Sequence, residues 1–165
     1  MRVWANPKHA NKSFKHISIV YERLAGGYGI GYSEPLTCRF EIIYREDREK
    51  ELWAQFDADW TAEAIFNMLD NAVKYSENAQ NKSIILSVRK LGLFAEISVE
   101  DQNGSIPEEE KNRIFQRFYR GENSEGKEGI GLGLYLTREI ALRQGGYVSV
   151  KATEQGNIFS IYLRL

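Results

Sequence analysis

The decapeptide from Asn67 to Ser76, NMLDNAVKYS, constrains this chain more than any other segment. Wound as a helix at about 100° per residue, Asn67, Asn71 and Lys74 fall within roughly 60° of one another. Ile65, Leu69 and Ala72 fall on the opposite side, flanked by Phe66 and Val73. The helix therefore packs by one face and presents two amides and a lysine on the other. Amide oxygens suit a hard cation such as Mg²⁺, which prefers oxygen ligands. A lysine one turn further on is a point charge suited to phosphate. A plain surface helix with a polar face would show the same pattern, so the rest of the sequence has to decide.

The chain has 165 residues, enough for one domain with a real core. Its net charge of −1 gives no global basic field for nucleic acid. Cys38 is the single cysteine, so no intramolecular disulfide can form. No apolar run approaches the roughly 18 residues of a membrane span, and no signal peptide is visible.

Residues 1–12 are polar and read as a loose lead-in. Phe14, Ile17, Val20, Tyr21 and Leu24 recur at helical spacing, which predicts a helix from Ser13 to Ala25. Cys38 to Tyr44 alternates as a half-buried strand, the charged run Arg45 to Glu51 reads as a turn or loop, and Leu52 to Phe56 returns as a strand. Thr61 is the expected N-cap of the following helix, with Asp57 and Asp59 near its positive end. Ser83–Lys90 and Phe94–Glu100 should pair antiparallel across Leu91-Gly92-Leu93. Glu108 to Tyr119 reads as a short helix, Gly121 to Glu128 as a mobile loop, and Gly131 to Arg143 as a helix ended by Gly145-Gly146. Tyr147–Lys151 and Phe159–Leu165 complete the strands. This order predicts an α+β two-layer sandwich: a mixed, mostly antiparallel sheet with about three helices on one face.

Gly129-Ile130-Gly131-Leu132-Gly133-Leu134 leads into a helix. Glycines let backbone approach a partner closely, and a helix start offers unpaired N–H groups to an anion. A flexible hinge would look the same. A dinucleotide fingerprint needs a strand immediately before it, and Gly121 to Glu128 is hydrophilic. The GxxxxGK[ST] phosphate loop is absent. Asp101 closes a strand, where a carboxylate can accept from an exocyclic amine or simply form a turn.

Together, NMLDNAVKYS, Asp101 to Ile106, the segment IFQRFYR from Ile114 to Arg120 and the GIGLGL run resemble the ATP-binding catalytic domain of sensor histidine kinases. That domain belongs to the wider GHKL ATPase superfamily. The resemblance covers residues 55–165 well and earlier residues loosely. It implies the Bergerat-type ATP-binding fold, with ATP and Mg²⁺ as cofactors. It also implies that Asn71 ligates Mg²⁺, that Asn67 lies beside the triphosphate and that Lys74 reaches phosphate. Tyr75 should pack near adenine or ribose, and Asp101 should receive the adenine amino group. Gly129, Ile130, Gly131, Leu132, Gly133 and Leu134 should line the phosphates. Arg120 would add charge from the lid, Ser105 and Ile106 would flank the base, and Ser160 would supply a hydroxyl near the adenine waters.

Two features depart from the family's pattern. Asp101-Gln102-Asn103-Gly104-Ser105 stands where Asp-x-Gly-x-Gly is usual, so Asn103 and Ser105 replace both glycines. Asn103 would tolerate positive φ, while Ser105 would crowd adenine or donate to it. Neither His9 nor His16 has the context of a phosphoacceptor. The resemblance therefore implies a single domain over 1–165 without its dimerisation and phosphoacceptor domain or its sensor domain. The acceptor histidine would come from that dimerisation domain, with a response regulator downstream and no nucleic acid or direct membrane contact. The expected location is the cytoplasm, as the cytosolic part of a membrane-anchored bacterial sensor kinase. Two other readings stand beside it. A gyrase- or chaperone-type hydrolase needs a carboxylate where Asn67 lies, and an amide is no base. A degenerate module that works by protein contact is motivated by the lost glycines.

Overall fold

Apolar residues at helical spacing and apolar residues alternating along strands meet in one core. The computed structural model describes residues 11–13, 45–46, 53–75, 84–121, 124 and 129–165. Three short strands come first: β1 (Asn11–Ser13), β2 (Arg45–Glu46) and β3 (Trp53–Gln55). Helix α1 (Ala58–Tyr75) precedes β4 (Ile85–Leu91) and β5 (Phe94–Glu100). Helix α2 (Gly133–Arg143), β6 (Tyr147–Ala152) and β7 (Asn157–Arg164) complete the order. Among the described residues the main sheet runs β2-β4-β5-β7-β6, with β2–β4 parallel and the other pairs antiparallel. The expected mixed, mostly antiparallel sheet with helices on one face is therefore present.

The strand parity is regular. Ala95, Ile97 and Val99 of β5 and Phe159, Ile161 and Leu163 of β7 are all buried. Ile97 stands opposite Ile161, and Val99 opposite Phe159. Against this face α1 sets Ala64, Ile65, Met68, Leu69 and Ala72, and α2 adds Ile140 and Ala141. The apolar stripe of α1 is the one its spacing predicts, so its amide-bearing face is left to the cleft.

Helix α1 starts earlier than expected. Asp57, not Thr61, is the N-cap: its Oδ1 accepts the N–H groups of Asp59 at 3.0 Å and Trp60 at 3.2 Å. Thr61 is buried in the first turn, where its hydroxyl meets the side chain of Gln144 at the end of α2. Gln144 Oε1 also accepts the N–H of Asp57 at 2.6 Å, which ties the two helices together.

Three further expectations are corrected. Asn11 and Lys12 are no loose lead-in and Ser13 starts no helix: the three form a strand paired antiparallel with β3, since main-chain bonding needs no apolar side chains. Arg45–Glu46 is not a turn but a strand paired parallel with β4, at the end of the strand order among the described residues. Glu108 to Tyr119 is not an α-helix. One 3₁₀ turn at Glu108–Glu110 passes into successive turns, with N–H groups of Arg113, Gln116 and Tyr119 bonded three residues back. Phe118 takes φ 63°, and its N–H donates to the Gly131 carbonyl at 3.0 Å. Docking onto the glycine loop thus overrides helical periodicity. The rest of the helix expected over 13–25, the strand over 38–44 and most of the loop over 121–128 lie outside the described residues.

Candidate functional site

A cleft of about 730 Å³ opens between the polar face of α1, the ends of β5 and β7, and the glycine loop. Asn67, Asn71, Lys74 and Tyr75 line it from α1, and Asp101, Ser105 and Ile106 from the end of β5. Arg120 and the run Gly129, Ile130, Gly131, Leu132, Gly133 and Leu134 close the remaining side. Of the site residues expected from sequence, the cleft gathers all but Ser160.

Asn67 Nδ2 is buried without a hydrogen-bond partner, the one such side-chain atom among the described residues. An orphaned buried donor costs about 1–3 kcal/mol, which an incoming acceptor would offset. Lys74 Nζ lies 2.6 Å from Asp70 Oδ2, so the lysine is held at the cleft by its neighbour one turn back. Arg120 Nη2 donates to the Ser124 carbonyl at 2.5 Å.

The glycine loop is fixed by contact. At Gly131, φ is 71°, and a Cβ would stand 2.5 Å from the Tyr119 carbonyl oxygen. Only glycine fits there. Leu132 caps α2 without any side-chain hydrogen bond, which leaves the first-turn N–H groups open beside the cleft. With the helix dipole behind them, these groups favour an anion.

Asp101 is 2% exposed. Its Oδ1 accepts from the Asn103 N–H at 3.2 Å, the Asn157 N–H at 3.1 Å and Asn157 Nδ2 at 3.2 Å. Burial pushes its pKa above the ordinary carboxylate value, and the bonds from Asn103 and Asn157 offset only part of that.

The residues that replace the two glycines serve the loop. Asn103 Nδ2 donates to the Ala72 carbonyl at 2.7 Å and so ties the loop to α1. Asn103 does not take positive φ; Gly104 does, at 80°. Ser105 Oγ donates to the Thr153 carbonyl at 2.5 Å, in the turn between β6 and β7. Its hydroxyl is thereby engaged by protein.

Ser160 lies elsewhere. It follows Phe159 on β7, so its side chain points away from the helices. There its Oγ donates to buried Glu96 Oε1 at 2.9 Å, beside the Tyr162 hydroxyl at 3.0 Å. Burial alone would push the Glu96 carboxyl up. Hydrogen bonds from Arg89, Ser160 and Tyr162 outweigh it and hold the group below its usual value. This network belongs to the outer sheet face. The sequence reading missed Asn157, which lines the cleft and is 3% exposed. The glycine before it was the available signal, because Gly156 passes so close to the Asp101 carbonyl that any Cβ would stand 2.0 Å from it.

Residues 56–165 match the family described as histidine kinase-, DNA gyrase B- and HSP90-like ATPases. The chain belongs to this family and has its Bergerat-type fold. It is homologous to the ATP-binding catalytic domains of sensor histidine kinases. The signal transduction histidine-protein kinase/phosphatase MprB of Mycolicibacterium smegmatis is 36% identical over 105 residues, 63% of this chain and 21% of MprB. The chain thus spans about a fifth of the length of such curated relatives. The solved structure of a mycobacterial sensor histidine kinase MprB superposes with a TM-score of 0.71 at 24% identity, covering 94% of this chain and 97% of that one. A structure of histidine kinase ThkA in complex with response regulator protein TrrA superposes with a TM-score of 0.67 at 20% identity, covering 93% and 41% respectively. Among the described residues, no helix is long and apolar enough to cross a membrane.

Proposed function

We propose that this chain is the ATP-binding catalytic part of a two-component sensor histidine kinase. It holds Mg-ATP in the cleft and presents the γ-phosphate to a histidine on a separate dimerisation domain. The observation that carries this reading is convergence: the amide and lysine face of α1, the open start of α2 and buried Asp101 all border one cleft. The residues fit the nucleotide, because buried Asn67 Nδ2 lacks an acceptor and the α2 amides lack a cap.

Asn71 would ligate Mg²⁺, and the metal would supply charge neutralisation at the phosphates. Asn67 Nδ2, Lys74 and the first-turn amides of α2 would hold the phosphate oxygens. Asp101 would accept the adenine amino group, with Tyr75 and Ile106 against the base or ribose. Arg120 would add charge at the γ-phosphate. Phosphoryl transfer needs positioning and charge offset more than covalent chemistry from the protein. Asn67 cannot act as a base, which disfavours water activation and hence the hydrolase reading. On this reading the chain is one domain of a longer, membrane-anchored protein. It works in the cytosol with that protein's dimerisation domain and with a response regulator.

Calorimetric titration with Mg-ADP and a non-hydrolysable ATP analogue tests the proposal. The parent should bind in a metal-dependent way. Asn71→Ala should lose the metal dependence, and Asp101→Ala should bind about tenfold or more weakly. A folded parent with no detectable binding would turn the reading toward a module that acts by protein contact alone.

A further inference from the structure

We propose that Asn157 is a positioning residue for base recognition: it clamps Oδ1 of Asp101 so that Oδ2 alone meets the incoming amine. The inference rests on the nucleotide reading above. Three hydrogen bonds end on Asp101 Oδ1, two of them from Asn157. The remaining polar atoms of Asn157 are committed as well. Nδ2 also donates to the Gly104 carbonyl at 2.8 Å, and Oδ1 accepts the Ile106 N–H at 2.8 Å. The Asn157 carbonyl accepts the Asp101 N–H at 2.9 Å.

One buried amide thus holds the carboxylate and both ends of the loop that follows it. A planar amide locked at both ends has no low-energy rotation open to it. The carboxylate it grips is fixed in turn, with one oxygen saturated and the other left for a donor. This arrangement favours a base with an exocyclic amine over one with a carbonyl at that position, because a carbonyl facing Oδ2 would set two acceptors together. Positioning of this kind differs from structural support alone. Structural support affects every nucleotide equally, whereas a clamp on Asp101 affects only those whose amine Asp101 reads.

The test compares Mg-ADP with Mg-IDP, which carries a carbonyl in place of the amine, on the full chain between about pH 5 and pH 8. Parent, Asn157→Ala and Asn157→Thr are titrated calorimetrically. Asn157→Ala should weaken Mg-ADP about tenfold and Mg-IDP less than about twofold. The pH below which Mg-ADP binding falls should move upward, because hydrogen bonds that favour the carboxylate are lost. Asn157→Thr, with one hydroxyl donor, should recover part of both effects. Asp70, Lys74 and Tyr75 of α1 and Glu110, Tyr119 and Arg120 across the cleft also titrate or carry charge. They act on both nucleotides, so a pH response confined to Mg-ADP reports Asp101.

Equal losses for the two nucleotides, or an unmoved pH midpoint, would overturn the proposal and leave Asn157 a structural residue. A parent that binds neither nucleotide would remove the nucleotide reading and this one with it. A parent that binds Mg-ADP beside an unchanged variant removes this one alone. If Asn157→Ala does not fold, the parent decides by NMR. The Asn157 side-chain amide signal should titrate with the same midpoint as Mg-ADP binding, and a signal indifferent to pH would overturn the clamp.

Discussion

Asp101 is held at the cleft at a cost to the fold. Its pKa is raised in the folded chain, so the folded state binds that proton more tightly than the unfolded state does. The sign follows: stability associated with this group falls as pH rises from the unfolded value, 3.8, through the raised folded value. At pH 7 the buried charge therefore opposes folding. Asp101→Asn keeps an oxygen to accept the bonds from Asn103 and Asn157 and removes the charge. Thermal melts at pH 7 should find this variant as stable as the parent or more so, by up to about 1 kcal/mol. Titration should find Mg-ADP binding largely lost, since an amide nitrogen would then face the adenine amine. A variant both less stable and still competent would contradict this account. Asp101 and Asn71 were legible because their residue types stand at a strand end and at helical spacing. Asn157 was not, because its bonds to Asp101 join residues 56 positions apart. Ser160 was misassigned by one step of strand parity, which sends its side chain to the other face of the sheet.

Among the elements, those with a strong period were legible and those shaped by tertiary contact were not. The stripe of α1 and the alternation of β5 and β7 follow from burial of one face, so their spacing announces them. The segment Glu108–Tyr119 has helical composition, yet its end is bent onto the glycine loop through Phe118 and Gly131. No local preference reports a contact made with residues further along the chain. The same junction yields a prediction. In Gly131→Ala, the new Cβ meets the Tyr119 carbonyl oxygen in a backbone conformation that alanine avoids. Denaturant melts should show a loss of about 1–3 kcal/mol. Nucleotide affinity should fall further than the stability loss explains, because the loop that leads into α2 is displaced. Gly104→Ala, at φ 80° with nothing within 4 Å of its Cβ, serves as the control for backbone strain without a clash. Equal effects at both positions would mean that the contact with Tyr119 is not what matters.

For the whole molecule, the cleft is where separate stretches of chain converge. Residues 67–75, 101–107 and 129–134 contribute to it, and the Asn103 bond to the Ala72 carbonyl bridges the first two. A nucleotide touching all three would act as a further bridge that exists in the folded state alone. Unfolded chain offers no such cleft, so ligand binding must raise the free energy of unfolding. At a free ligand concentration a hundred times Kd, the gain is about 2.7 kcal/mol. For a chain of this size that corresponds to a Tm higher by about 5–10 °C. The shift should grow with the logarithm of Mg-ADP concentration rather than reach a plateau. Chelating the metal should shrink it, because the ion proposed for Asn71 would no longer offset charge at the phosphates. Asp101→Asn should show little shift, although its unliganded melt is at least as high as the parent's. Scanning calorimetry across a Mg-ADP series, with and without chelator, checks each part. A parent melt indifferent to saturating Mg-ADP would mean that the three stretches are not joined by a nucleotide, however closely the fold resembles that of the kinases.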